Sequence, residues 1–140
     1  MDIRQITPNY AVAPQIEPTD LPDIAAQGFT TIICNRPDFE IPAELSAQVM
    51  QTATEAAGLS FVLNPVDHSG LTMQIVELQR ETVANAAGPV LAYCASGNRS
   101  TIVWGLGQAG TMPTDDIINA AGAAGYSLHG LRGQLDAMAR

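Results

Sequence analysis

The sequence predicts an α/β fold, a three-layer sandwich with a central, mainly parallel sheet. Two observations support this class. Apolar runs rich in β-branched residues alternate with segments of helical character along the whole chain. Glycines follow the first helical segments, at Gly28 and Gly58, as expected where a helix ends before the next strand. No repeat, low-complexity stretch or linker interrupts the alternation, so we expect one domain over residues 1–140.

In the first half of the chain, short apolar strands flank two helices. Thr19 or Asp20 can cap the first helix, and Pro42 can open the second, because its fixed φ suits a first helical turn. The predicted elements are strands over residues 3–6 and 10–13, a helix ending at Gly28, a strand over 29–35, a helix over 42–58 and a strand over 59–66.

The second half continues the pattern with more helix than strand. Thr114 is the predicted cap of one helix, where Asp115 and Asp116 suit the positive end of the helix dipole. Gly105 and Gly107 each cost about 1 kcal/mol relative to alanine inside a helix, which indicates close packing against another backbone. The predicted elements are a helix over 70–88, a strand over 89–94, a helix over 99–109, a helix within 111–127 and a last helix after Ser127. The first of these helices has an apolar side formed by Leu71, Ile75, Leu78 and Val83. The helix over 99–109 has an apolar face formed by Ile102, Val103, Leu106 and Ala109.

Composition excludes several classes of function. The net charge is −8, and the six basic residues, all arginine, are scattered, so no basic face can neutralise nucleic-acid phosphates. No apolar run reaches the ~20 residues of a membrane span, and no signal peptide is evident at the N-terminus. We therefore expect a cytoplasmic protein with neither nucleic acid nor membrane as partner, although one local arginine and backbone amides could still hold a small anionic substrate. The sequence does not indicate the oligomeric state.

Polar residues follow three of the predicted strands. Asn35 and Arg36 follow one strand, Asp67 and His68 follow the next, and the loop from Cys94 to Ser100 follows the third. Because a parallel α/β sheet binds ligands at the carboxyl ends of its strands, these three segments should meet at one edge.

The segment "YCASGNRS" combines a cysteine, small residues and an arginine at the start of a helix. Small residues at Ala95, Ser96, Gly97 and Asn98 let successive N–H groups point inward as an anion-binding nest. The helix dipole and Arg99 would stabilise both an oxyanion and a thiolate, which makes Cys94 a candidate nucleophile. The structural alternative is that Cys94 is a small buried residue at a strand end.

This segment looks like the active-site loop of rhodanese-type sulfurtransferases and like the phosphate-binding loop of cysteine-dependent phosphatases. Across nearly the whole chain, with "GFTTIICNRPDFE", "NPVD" and "GLGQAG", the sequence resembles the phosphatase-like domain of beta-lactamase hydrolase-like proteins. That family is similar in layout to dual-specificity phosphatases. The resemblance implies a cysteine-phosphatase-like fold and hydrolysis of a phosphoester, in a phosphorylated molecule, through a cysteinyl-phosphate. We expect no cofactor or metal, because the cysteine and histidine positions do not match a zinc-site spacing and no glycine motif for a nucleotide is present.

One feature of the loop departs from the phosphatase pattern. Four residues separate Cys94 from Arg99, whereas the phosphatase pattern has five and the rhodanese pattern four. Sulfur transfer through a Cys94 persulfide is therefore the alternative function. A weakly active module that binds an anion or a protein is a third.

The resemblance to dual-specificity phosphatases also assigns roles outside the loop core. Asp67 stands where that pattern has a general acid, although it could instead cap the following helix. Ser100 could donate a hydrogen bond to Cys94 Sγ and help the thiolate leave, or cap its helix. The neighbouring His68 could assist the acid or be a solvated loop residue.

Cys34 is the second cysteine, and it ends a predicted strand at the same edge as Cys94. In a buried strand it is most simply a small hydrophobe. Some related lipid phosphatases carry a cysteine at a comparable strand end that traps the oxidised nucleophile, so Cys34 is a possible redox partner of Cys94. Arg36 could reach substrate, or form a salt bridge with Asp38 or Glu40.

Overall fold

The computed structural model describes residues 1–67 and 70–140, and it contains the predicted mainly parallel sheet. The strands lie in the order β1-β2-β5-β3-β4, and β1 is antiparallel to β2 while the other neighbouring pairs are parallel. Their bounds are β1 Arg4–Thr7, β2 Tyr10–Ala13, β3 Thr31–Cys34, β4 Ser60–Leu63 and β5 Val90–Tyr93. The predicted fold class is confirmed, with strands shorter than the apolar runs that signalled them.

Six α-helices in the described part of the chain cover the two faces of the sheet. Side chains of α1 and α2, such as Leu21, Ile24 and Met50, pack in the core on one face. Val76 of α3, Val103 of α4, Ile117 of α5 and Leu135 of α6 belong to the core on the other. The bounds are α1 Leu21–Ala26, α2 Ala47–Ala56, α3 Met73–Asn85, α4 Asn98–Gln108, α5 Thr114–Ala123 and α6 Arg132–Met138.

The central strand β5 lies between β2 and β3, and its register sets the position of the cysteine loop. Tyr93, the last residue of β5, pairs with Ala13 on one side and with Cys34 on the other. The carboxyl ends of these strands are therefore level, and the chain that follows each of them emerges at one edge of the sheet.

Helix α4 follows the cysteine loop and is buried on nearly all sides, whereas the sequence predicted a single apolar face. Gly105 lies so close to Leu128 and Ile117 that a Cβ would meet their side chains at 2.9 and 3.3 Å. Trp104 stacks on Tyr10 of β2 with ring centroids 6.0 Å apart. Gly105 is thus closely packed, but against side chains rather than against another backbone as predicted, and this packing holds the helix that carries the candidate arginine.

Three local predictions about the helices are wrong. The second helix begins at Ala47, capped by the Ser46 side chain, rather than at Pro42. Thr114 is the first residue of α5 rather than its cap, because its hydroxyl donates to Asp136 Oδ1 at 2.6 Å and Pro113 precedes the helix. In α3 the buried residues are Val76 and Gln79, whereas Leu78, predicted to face inward, is 40% exposed. Across the described part of the chain, none of the helices is both long and apolar enough to cross a bilayer.

Candidate active site

The cysteine loop begins at Cys94, directly after β5 ends at Tyr93. Cys94 is fully buried, and its Sγ accepts a hydrogen bond from the backbone N–H of Gly97 at 3.1 Å. Gly97 precedes α4 with φ of +92°, a left-handed conformation that favours glycine. A Cβ at this position would also collide with the hydroxyl of Tyr126, which donates to the Ser96 carbonyl at 2.9 Å. Glycine is therefore required here for the backbone to turn its N–H onto the sulfur.

Arg99 lies on the first turn of α4, and its guanidinium is held from outside the loop. Nη1 and Nη2 donate to the two carboxylate oxygens of Glu40 at 2.8 and 2.7 Å, and Nη1 also donates to the Val66 carbonyl at 2.8 Å. Hydrogen bonds to Glu40 raise the pKa of Arg99, and the nearby Cys94 raises it further. The arrangement fixes a cation beside the cysteine without using all five guanidinium N–H groups.

Glu40 is a site residue that sequence reasoning did not single out as one. Hydrogen bonds from Arg99 lower the pKa of the Glu40 carboxyl, whose side chain is 18% exposed. Arg36 forms the predicted salt bridge with Glu40, at 3.4 Å, and donates to the Gln15 side chain at 3.2 Å. The local Arg36–Glu40 spacing was visible in the sequence, whereas the pairing with Arg99, 59 residues away, was not.

Asp67 directly follows a segment that touches the cysteine loop. The Val66 carbonyl accepts the hydrogen bond from Arg99, and the Val66 N–H donates to the backbone carbonyl of Asn35 at 2.9 Å. Asp67 itself is exposed, at the same edge of the sheet. The three polar segments expected to converge there do so, while the acid role of Asp67 stays a prediction. His68 lies outside the described residues.

Ser100 is fully buried on the same helical turn as Arg99. We expected its hydroxyl at Cys94 Sγ, but the hydroxyl donates to Asn35 Oδ1 at 2.9 Å instead. It does not cap the helix either, because α4 begins two residues earlier. A hydroxyl has one proton, so in this arrangement Ser100 connects to Asn35 rather than stabilising the sulfur by donation.

The remaining loop residues provide only part of the predicted anion nest. Ala95, Ser96 and Asn98 are exposed, as an anion-binding loop requires. The Asn98 N–H, however, donates to Ser96 Oγ at 3.2 Å, and the Gly97 N–H points at the sulfur. Two amides of the expected nest are thus engaged inside the loop.

Cys34 ends β3, and it lies in the core on the α1 and α2 face of the sheet. Its Sγ donates to the Arg36 carbonyl at 3.4 Å, and burial raises its pKa. Both cysteines are free thiols. Among residues 1–67 and 70–140, no three His, Cys, Asp or Glu side chains are grouped so that they could hold a metal ion.

The site thus consists of a buried cysteine at the end of a central parallel strand, a tight loop and an arginine on the next helix. Comparison with known proteins gives the family. Residues 2–111 match the model of the beta-lactamase hydrolase-like protein, phosphatase-like domain. The chain belongs to this family, and the family resemblance seen in the sequence is confirmed.

Relatives and solved structures agree with this assignment. A beta-lactamase hydrolase-like protein of Agrobacterium fabrum is 32% identical over 126 residues, which are 89% of this chain but 29% of that protein. The counterpart in Xylella fastidiosa strain Temecula1 is 28% identical over 91% of this chain and 30% of its own length. The chain therefore spans about a third of the length of these curated relatives.

Among solved structures, a candidate phosphatase of Neisseria meningitidis Z2491 is 36% identical, covers 99% of both chains and superposes with a TM-score of 0.85. The core catalytic domain of the yeast PP-IP phosphatase SIW14 gives a TM-score of 0.69 at 14% identity, over 96% of this chain and 82% of that one. The second likeness shows the shared fold alone. The chain is therefore a phosphatase-like domain, in its family and in its fold.

Proposed function

We propose that residues 1–140 act as one catalytic domain that hydrolyses a phosphomonoester through a cysteinyl-phosphate on Cys94. One observation carries the proposal. The thiol is fully buried, yet its sulfur accepts the Gly97 N–H at 3.1 Å beside a guanidinium fixed by Glu40. A sulfur that accepts a hydrogen bond beside a fixed cation has the surroundings that a nucleophilic cysteine needs.

In the proposed reaction, the Cys94 thiolate attacks phosphorus and the bond from phosphorus to the leaving oxygen breaks. Asp67 gives its proton to the departing alkoxide, which leaves as an alcohol. Water then attacks the cysteinyl-phosphate, the phosphorus–sulfur bond breaks, and Asp67 takes a proton from the water. The products are inorganic phosphate and the regenerated Cys94 thiolate.

Arg99, the loop amides of Ala95 and Ser96 and the side chain of Asn98 bind the phosphoryl oxygens in this proposal, whereas the Gly97 N–H stays on Cys94 Sγ. Arg99 has N–H groups that Glu40 and Val66 do not use, and these can bind the charge that develops in the transition state. Because Glu40 and Val66 already hold the Arg99 guanidinium, this side chain needs little reorganisation when substrate binds. The net charge of −8 favours a compact, singly phosphorylated substrate over a polyanion.

The test is hydrolysis of p-nitrophenyl phosphate by the wild-type chain and by Cys94→Ser and Asp67→Asn. We expect turnover that Cys94→Ser abolishes and that Asp67→Asn reduces. Phosphatase activity that survives in Cys94→Ser would contradict the cysteinyl-phosphate.

Sulfur transfer is the second candidate, favoured by the four-residue spacing from Cys94 to Arg99. The same variants are assayed for thiosulfate-dependent formation of thiocyanate from cyanide. Thiocyanate formation that requires Cys94 but not Asp67, without phosphatase turnover, would replace the phosphatase proposal. Absence of both activities would leave the anion- or protein-binding module as the function.

A further inference from the structure

Five polar side chains are buried together beneath the cysteine loop. Their exposed fractions are no more than 3%, although a buried polar group is costly unless its hydrogen bonds are made. They come from β2, from the ends of β3 and β4, from α3 and from α4, and they are Tyr10, Asn35, Asn64, Gln79 and Ser100. We call this cluster the buried polar network.

Gln79 of α3 is its centre. The side-chain oxygen accepts hydrogen bonds from the amides of Asn35 and Asn64, both at 2.9 Å. The side-chain nitrogen donates to Asn35 Oδ1 and to the Tyr10 hydroxyl, both at 3.0 Å. One glutamine on the long helix thus contacts three separate parts of the chain, and none of these bonds supports helix formation itself.

One arm of the network holds the segment that leads to Asp67. Asn35 Nδ2 donates to the Asn64 carbonyl at 2.8 Å, and the Val66 N–H donates to the Asn35 carbonyl at 2.9 Å. Asn64 Nδ2 also donates to the Ile75 carbonyl at 3.0 Å. The backbone is therefore fixed at two of the three residues before Asp67.

The other arm holds the helical turn that carries Arg99. The Ser100 hydroxyl donates to Asn35 Oδ1 at 2.9 Å, and the Tyr10 hydroxyl donates to the Ser100 carbonyl at 2.7 Å. Asn35 thus contacts both arms. Its backbone N–H also donates to the Tyr93 carbonyl at 2.9 Å, one residue before the nucleophile.

We propose that the buried polar network, with Asn35 and Gln79 as its positioning residues, fixes the segment carrying Asp67 relative to the turn carrying Arg99 and Cys94. This inference rests on the proposed function. A general acid must be held within hydrogen-bond reach of the leaving oxygen, so a small displacement between the two arms removes proton donation more than it removes phosphate binding.

The test compares two substrates, phenyl phosphate and p-nitrophenyl phosphate, which differ in their leaving group. Phenolate is a poorer leaving group than p-nitrophenolate, so phenyl phosphate depends more on a general acid. We expect Asn35→Ala to lower kcat for both substrates, with a loss about tenfold larger for phenyl phosphate than for p-nitrophenyl phosphate. This difference is smaller than the full rate contribution of a general acid, because the acid is displaced rather than removed. KM for both substrates should change less than kcat. Asp67→Asn should also cost less in the Asn35→Ala background than in the wild type, because the two changes remove the same step.

Gln79→Met serves as a second variant if Asn35→Ala does not fold, because methionine keeps the chain length and removes the four hydrogen bonds. Thr54→Val is the matched control: it deletes a fully buried hydroxyl that donates to the Met50 carbonyl at 2.7 Å within α2, on the opposite face of the sheet. We expect it to leave the kcat ratio of the two substrates unchanged.

Equal losses on both substrates in Asn35→Ala and Gln79→Met would overturn the positioning role, since a purely structural network would lower both rates alike. That result is distinguishable from failure of the proposed function. In the latter case, the wild-type chain itself would show no turnover that depends on Cys94.

Discussion

The two cysteines stand at the ends of adjacent strands and are buried to the same degree, yet their surroundings are opposite. Cys34 is 1% exposed and Cys94 is 0% exposed. The Cys34 sulfur donates a hydrogen bond to the Arg36 carbonyl, whereas the Cys94 sulfur accepts a hydrogen bond from the Gly97 N–H. Cys94 also has Arg99 beside it, while burial raises the pKa of Cys34.

This comparison shows that burial does not decide whether a thiol is reactive. A carbonyl oxygen accepts a hydrogen bond but donates none, and burial raises the pKa of the Cys34 thiol, so these surroundings favour the neutral form. A backbone N–H and a guanidinium supply the hydrogen bonds and positive charge that a thiolate needs. The neighbouring groups therefore favour a neutral thiol at Cys34 and make Cys94 the candidate nucleophile.

The largest expected difference is in phosphatase activity. Cys94→Ser should lower kcat for p-nitrophenyl phosphate by at least about 10³-fold, because removal of a covalent nucleophile leaves only binding and electrostatic catalysis. Cys34→Ala should stay within about twofold of the wild type and cost about 1 kcal/mol of stability, as small core truncations do. Steady-state kinetics measures kcat and urea unfolding measures stability. An equal loss of kcat in Cys94→Ser and Cys34→Ala would show that the two cysteines do not differ in catalytic importance.

A smaller effect is expected from loosening Arg99 without removing it. Glu40→Gln keeps the shape of the side chain but loses its charge, so we expect kcat/KM to fall about 10²-fold, similar to loss of one oxyanion-binding group. Glu44→Gln, an exposed glutamate on the same connection between β3 and α2, is the control and should leave the rate unchanged. A Glu40→Gln enzyme as active as the control would show that the ion pair does not prepare the site.

Chemical labelling should also separate the cysteines. Iodoacetamide near neutral pH should modify Cys94 at least about tenfold faster than Cys34, because only thiolates react and burial holds Cys34 protonated. Peptide mass spectrometry over a time course measures both rates. Faster modification of Cys34 would reverse the assignment of the two thiols.

A weaker effect concerns stability and pH. Hydrogen bonds from Arg99 lower the pKa of Glu40, so the ion pair stabilises the fold above the unfolded-state value of roughly 4.3 and loses this effect as pH falls through the lower folded-state value. Glu40→Gln should therefore be less stable than wild type at pH 7, and the gap in Tm should shrink between about pH 5 and pH 3. A Tm difference between wild type and Glu40→Gln that widened on acidification would contradict a lowered pKa of Glu40.

The smallest expected effect is an oxidative link between the two cysteines. The register pairs Cys34 with Tyr93, the neighbour of Cys94, and we propose that mild peroxide converts Cys94 to a sulfenic acid that condenses with the Cys34 thiol, forming a disulfide and releasing water. Intact mass should show the loss of two hydrogens in part of the sample. A sulfinic acid on Cys94 with Cys34 still free would exclude this role.

The sequence predicted most of the fold and the centre of the site. Strand–helix alternation gave the parallel sheet, and the loop from Cys94 to Arg99 was evident because its residues are consecutive. It did not predict the destination of the Ser100 hydroxyl or the role of Glu40. In both cases the partner is far along the chain: 65 residues separate Ser100 from Asn35, and 59 separate Arg99 from Glu40.

The sequence by itself thus determined the elements, the sheet edge that holds the site and the cysteine loop, because these depend on local periodicity and on consecutive residues. Only the tertiary structure decided which cysteine faces donors, which carboxylate holds Arg99 and how Gln79 connects the two arms of the buried polar network. Hydrogen bonds act over about 3 Å in space whatever the separation in sequence, so their partners are known only once the chain is folded.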